Sequence, residues 1–212
     1  SNPLIGKSSG SVGGVTFSSW KGIDVIKAKP TVVANPQTDA QKAQRSAFSQ
    51  MVAIYRLMVA VLVLGFKELA VKKSAFNAFT SVNLKNAFNL SAPPDATLVP
   101  ASILISKGTI SATPITDVVC SVAAGSAAFT YPATNALPGQ SATDKPLMAV
   151  YNATKEEWIS GVGTATRADG ADSVDMPATW EAADVFHAYL GFTNVAGDQA
   201  SDSNYLTDSV EA

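Results

Sequence analysis

His187 is the sole histidine of the chain and Cys120 its sole cysteine, so the residue types that most often carry general-base and nucleophilic chemistry each occur once. A histidine acts as a general base only beside a nucleophile and a group that orients it, and DVFHAYLGF around His187 carries no nucleophile signature. Alternation puts His187 on one strand face with Val185 and Tyr189, and Phe186, Ala188 and Leu190 on the other, the pattern of a structural or surface histidine. Cys120 lies in the apolar run DVVCSVA and is expected to be an inert core thiol. A single histidine and a single cysteine exclude a zinc quartet of those ligands, and one cysteine excludes an internal disulfide.

Carboxylates and glycines fare no better as chemistry. Asp169, Asp172 and Asp175 in DGADSVD, and Asp198 and Asp202 in GDQASDS, lack the spacing and closing Glu of a calcium loop, so both stretches read as solvated turns. Gly10, Gly13 and Gly14 are followed by no Gly-Lys-Ser/Thr and fit a flexible or closely packed arm rather than a phosphate loop. Lys21, Lys27, Lys29, Lys42, Arg45, Lys72 and Lys73 could meet phosphates, but they are interspersed as on an ordinary solvated face. The expectation is therefore a protein without catalytic residues, cofactor, metal or small-molecule substrate.

Position and charge say more. The net charge of -2 hides a split: residues 1–100 hold eleven basic against four acidic residues, a net +7, and the remainder is a net -9. Such polarity suits a basic end that faces polyanions or the acidic end of a neighbouring copy. The longest apolar run, Met51 to Phe66, is sixteen residues with Arg56 inside it, short of the ~20 that a bilayer span requires, so a buried helix and no membrane partner are expected. SNPLIGKSSG has no basic region followed by an apolar one, which predicts no signal peptide.

Three kinds of segment follow in order. Val12, Val15, Phe17 and Trp20, then Ile23, Val25 and Ala28, flank Lys21-Gly22 as two extended runs around a turn, a hairpin arm over residues 1–36. Val12 and Val15 fall on opposite faces unless Gly13 or Gly14 makes a bulge. Thr38 then caps a helix with Asp39 in its first turn and Gln41 completing a capping-box pattern. Its apolar residues from Phe48 to Phe66 cover most of the circumference, which requires cover from the C-terminal region or from another copy. Gly65 ends it, and KKSAFNAFTSVNLKNAFNL follows as a second helix with Phe76, Phe79, Leu84 and Phe88 inward, giving a helical region over 37–90.

Residues 91–114 turn to Ser, Ala, Pro and Thr, a linker with a short hairpin around Lys107-Gly108. From 115 to 212, seven short strand patterns separated by turn signals predict an antiparallel immunoglobulin- or fibronectin-like β-sandwich, with a flattened small barrel as the alternative. The fold class is α+β: a hairpin arm and a helical hairpin, then the sandwich.

GSVGGVTFSSWKGIDVIKAKP, NPQTDAQKAQRSAF and VFHAYLGFTNVAGDQASDSNYL together resemble a family of uncharacterised proteins common in Bacteroidetes genomes and their phages. The matching words are Trp20-Lys21-Gly22; Asn35, Pro36, Thr38, Gln41, Gln44 and Arg45; and Ser201, Ser203 and Tyr205. The resemblance implies no activity and no catalytic residues. Similar Asn-Pro-x-Thr-x-x-Gln words also occur in short phage structural proteins, which points to a virion.

The functional expectation is a non-enzymatic, self-assembling virion subunit of a Bacteroidetes phage, in capsid, decoration, neck or tail. Its partners are further copies of itself, other virion proteins and, through the basic half, packaged nucleic acid. Val15, Phe17, Trp20, Lys21, Ile23, Val25, Gln41, Gln44 and Arg45 are the expected assembly residues. The alternative is a bacterial protein, cytoplasmic or at the cell envelope, where it would be an adhesion module that recognises a glycan or protein through sandwich loops.

Overall fold

Two-residue turns set the geometry of the N-terminal segment. The computed structural model describes residues 9–32, 35–114, 119–123, 125–133, 136–181, 183–206 and 210–211, and the chain divides into the units Ser1–Thr38 and Asp39–Ala212. In the first unit β1 (Gly10–Val12), β2 (Val15–Trp20) and β3 (Ile23–Ala28) form an antiparallel meander. Lys21 and Gly22 both have positive φ, 49° and 81°, as a type I′ hairpin turn requires. Gly13-Gly14 makes the other turn, so Val12 pairs with Val15 across it and no bulge is needed. The expected hairpin thus has a third strand.

In the second unit the apolar helix is bent rather than continuous. α1 (Asp39–Leu57) and α2 (Val59–Gly65) meet at Met58 with a 99° change of direction. The all-round apolar pattern resolves into two one-sided helices. α1 buries Ala43, Ala47, Met51 and Ile54, a stripe at helical spacing, and α2 buries Val61 and Leu62. α3 (Ala75–Asn83) starts at Ser74, whose hydroxyl accepts from Asn77 N at 3.1 Å. It ends before Phe88, which lies in β4 (Phe88–Asn89), paired with β5 (Thr97–Leu98). No described single helix is long and apolar enough to cross a membrane.

All seven strand patterns of the C-terminal half are strands: β6 (Val119–Ala123), β7 (Ser126–Thr130), β8 (Lys145–Asn152), β9 (Glu157–Val162), β10 (Ala171–Asp175), β11 (Phe186–Thr193) and β12 (Asn204–Leu206). β13 (Val210–Glu211) adds a short parallel partner to β6. They make two four-stranded sheets, ordered β10-β7-β6-β13 and β12-β11-β8-β9, with no closed barrel among the described residues. Cys120, Ala127, Phe129 and Val174 of the first sheet share one buried cluster with Met148, Val150, Ala188, Leu190, Phe192 and Leu206 of the second.

The other face of the second sheet is buried as well. Leu147, Ala149, Trp158 and Tyr189 join Met51, Ile54, Val61, Leu62, Phe66 and Phe79 in a second cluster. β8 and β11 are therefore nearly continuously apolar because both their faces are covered. The fold of this unit is mixed α+β, with helices laid on one sheet and a second sheet on its far side. Cover for the apolar helices comes from the chain's own sheet.

The linker-like segment belongs to this core, since Ala96, Ile103 and Ile105 are buried in it. The hairpin expected around Lys107-Gly108 does not form. Instead Asp202 accepts from Gly108 N at 3.1 Å and pairs with the Lys107 ammonium at 3.1 Å, while Ile110 bridges Ser201 in parallel.

Candidate functional site

The strand register sorts the expected assembly residues onto two faces. Val15 and Phe17 share one face of the N-terminal sheet with Val12 and Ile26; Trp20, Ile23 and Val25 share the other. Trp20 and Ile23 are cross-strand partners beside the Lys21-Gly22 turn and are 66% and 62% exposed. The Lys21 ammonium sits 5.0 Å from the centre of the Trp20 ring, a cation–π contact. No described residue of this unit is buried. Gln41, Gln44 and Arg45 are exposed on α1, and Gln44 and Arg45 line a groove of about 620 Å³ with Phe48, Ser49, Val52 and Arg56.

A second site was not expected from the sequence. α1, residues 96–98 and the β8–β9 hairpin enclose a half-open pocket of about 610 Å³. Its aromatic wall is Tyr151 and Trp158, cross-strand partners stacked 4.5 Å apart. Ile54, Leu57 and Leu98 add apolar surface; Gln50 is held by donating to Ala96 O at 2.8 Å. Glu156 stands at the pocket, exposed on the β8–β9 turn with φ 56°, a backbone position that ordinary side chains rarely adopt. Burial, with the Glu156 charge adding to it, raises the Tyr151 phenol above its usual range. Among the described residues, the lining offers apolar area and a single carboxylate, without a cationic side chain.

The aromatic row continues across the sheet. His187 stacks on Tyr151 at 6.0 Å and on Tyr205 at 5.8 Å, and its Nδ1 lies 2.8 Å from the Tyr205 hydroxyl. Burial depresses the imidazole pKa. Two phenols, Tyr151 and Tyr205, flank the imidazole in this stacked row. Alternation in KPLMAVYN and EEWISG is the signal that could have placed Tyr151 and Trp158 on this face.

A buried ion pair escaped the sequence altogether. Arg167 and Asp144 are 0% and 1% exposed, with Nε to Oδ2 at 3.4 Å. Arg167 also donates to Thr113 Oγ1 at 2.9 Å and lies 3.7 Å over the Phe192 ring, while Asp144 accepts from Ser141 N at 2.8 Å. Among the described residues, Arg167 Nη2 and Asp144 Oδ1 have no hydrogen-bond partner. Burial lowers the Arg167 pKa, and the Asp144 carboxylate opposes that shift. The cluster clasps four separate stretches of chain. Cys120 is buried, which pushes its thiol up to about 12, and the described residues hold no group of three His, Cys, Asp or Glu placed to bind a metal.

A family model matches residues 7–207 of the chain. The chain belongs to DUF6266, a family of unknown function. No curated protein and no solved structure matches it. The DUF6266 match runs through both units, so the exposed N-terminal sheet is as much part of the family's architecture as the packed body.

Proposed function

We propose that this DUF6266 chain is a non-enzymatic, self-assembling structural protein, a virion subunit (capsid, decoration, neck or tail) of a phage of Bacteroidetes. One observation carries the reading: a three-stranded sheet with apolar residues on both faces and no buried residue of its own. Such a sheet is marginal in water and is stabilised by covering its apolar groups. The occupant that charge favours is a second copy. Residues 1–38 carry four basic residues and one acidic, whereas residues 39–212 carry eleven basic and sixteen acidic. The basic half would also tolerate packaged nucleic acid nearby.

We further infer an immunoglobulin- or fibronectin-like class for the two-sheet body. Lettering β6, β7, β8, β9, β10, β11 and β12 as A, B, C, C′, E, F and G gives A-B-E in one sheet and G-F-C-C′ in the other. That order supports the reading without the B–F disulfide of antibody domains.

Light scattering with negative-stain microscopy on the full chain and on a version lacking Ser1 to Pro36 tests the assembly. Regular assemblies from the full chain, lost on truncation, are expected. Monomers of both at high concentration overturn the proposal and leave the envelope binding module in its place.

A further inference from the structure

The N-terminal sheet carries its most exposed aromatic group at a hairpin end, and the body carries a pocket of matching chemistry. Trp20 stands 66% exposed beside Lys21 and Ile23 on a tight type I′ turn, so an indole, an ammonium and a branched aliphatic group project from one rigid tip. Rigid aromatic anchors of this kind make interface hot spots because little conformational entropy is lost when they dock.

The pocket between α1 and the β8–β9 hairpin has about 610 Å³, within the ~300–1,000 Å³ of ligand sites. Tyr151 and Trp158 offer aromatic surface for an indole, and Ile54, Leu57 and Leu98 offer aliphatic surface. Leu57 is 59% exposed, an apolar rim without cover. Among the described residues Glu156 is the lining's one charge, negative, and Lys21 is the one charge of Trp20–Ile23, positive. An anionic ligand is disfavoured at such a rim; an apolar group carrying a cation is favoured.

We infer that the Trp20-Lys21 tip of one copy docks in the α1/β8–β9 pocket of another, the indole against Tyr151 and Trp158 and the ammonium on Glu156. The inference rests on the assembly reading above and names its joint. Tip and pocket lie on different units of each chain, so the contact can close reciprocally in a two-fold dimer or run head-to-tail into rings or filaments.

The test is charge exchange at two exposed residues, which leaves the core untouched. Lys21→Glu and Glu156→Lys are each expected to weaken self-association about tenfold or more by light scattering, and the double exchange to restore it. Trp20→Ala is expected to weaken it by roughly thirtyfold or more, the loss of a hot-spot residue. In parallel, a Lys21→Cys chain mixed with a Glu156→Cys chain under an added thiol oxidant, which takes up the two electrons, is expected to give a dimer whose disulfide maps to positions 21 and 156.

Assemblies that persist unchanged through the exchange, without the 21–156 link, overturn the docking and leave self-assembly standing. A chain carrying both cysteines that closes on itself as a monomer also overturns it, because the tip then fills its own pocket. A wild-type chain that stays monomeric at every concentration overturns the assembly reading and the docking together.

Discussion

At the scale of single residues, the Arg167–Asp144 pair decides most. A buried guanidinium is tolerable only because Asp144, Thr113 and the face of Phe192 surround it. Arg167→Ala would strand the Asp144 carboxylate in the interior, and we expect a loss of about 3–5 kcal/mol in urea unfolding. Replacing both members together with apolar groups, as in Arg167→Met with Asp144→Leu, should cost much less; equal losses would show that the pair is not a unit.

None of this was legible from Arg167 and its neighbours in sequence, because the partners lie 23 and 54 residues away. The faces of His187 and the burial of Cys120 were legible, since alternation alone fixes them. His187 also supplies a pH prediction. Its folded pKa lies below the usual value, so the unfolded chain binds the proton more readily and stability falls as pH drops below about 6.5. Unfolding at pH 7 and pH 5 should differ less for His187→Phe than for the wild type. An unchanged difference would place the acid sensitivity in other groups.

At the scale of elements, spacing revealed the strands because each is short and bounded by turn residues, although β8 and β11 are nearly continuously apolar rather than alternating. The 99° break at Met58 was hidden: no Pro or Gly marks it, and an all-round apolar helix and two one-sided helices have the same composition. The packing of residues 103–106 explains why Gly65 ends α2. A Cβ at Gly65 would lie 2.5 Å from Ile105 O and 2.8 Å from the Ser106 Cβ, so the segment carrying buried Ile103 and Ile105 would have to move. Gly65→Ala is expected to destabilise by about 1–3 kcal/mol in chemical denaturation, the cost of overpacking. Gly14→Ala meets nothing within 4 Å and serves as the control. Equal stability of both variants would show that the Ile105 segment yields freely.

At the scale of the whole molecule, the charge split and the N-terminal hairpin were legible in sequence, whereas the third strand of its sheet and the pocket were not, the pocket because it joins α1 to a hairpin some 100 residues later. Charge and apolar area should act on different steps of assembly. Opposite charges on the first unit and the body speed encounter over a Debye length of ~10 Å at 0.1 M salt, which shrinks to ~3 Å at 1 M. In the docking inferred above, a buried indole would hold the joint with little dependence on salt, since burial of apolar surface rather than long-range attraction would resist separation. Raising salt from ~0.1 M to ~1 M should therefore slow association of the chain by a large factor while the dissociation rate stays nearly constant. Stopped-flow light scattering after dilution and after mixing separates the two rates. A dissociation rate that rises steeply with salt would mean that ion pairs, not Trp20 and its neighbours, hold the copies together; an association rate indifferent to salt would mean that the polarity of the chain does not steer assembly.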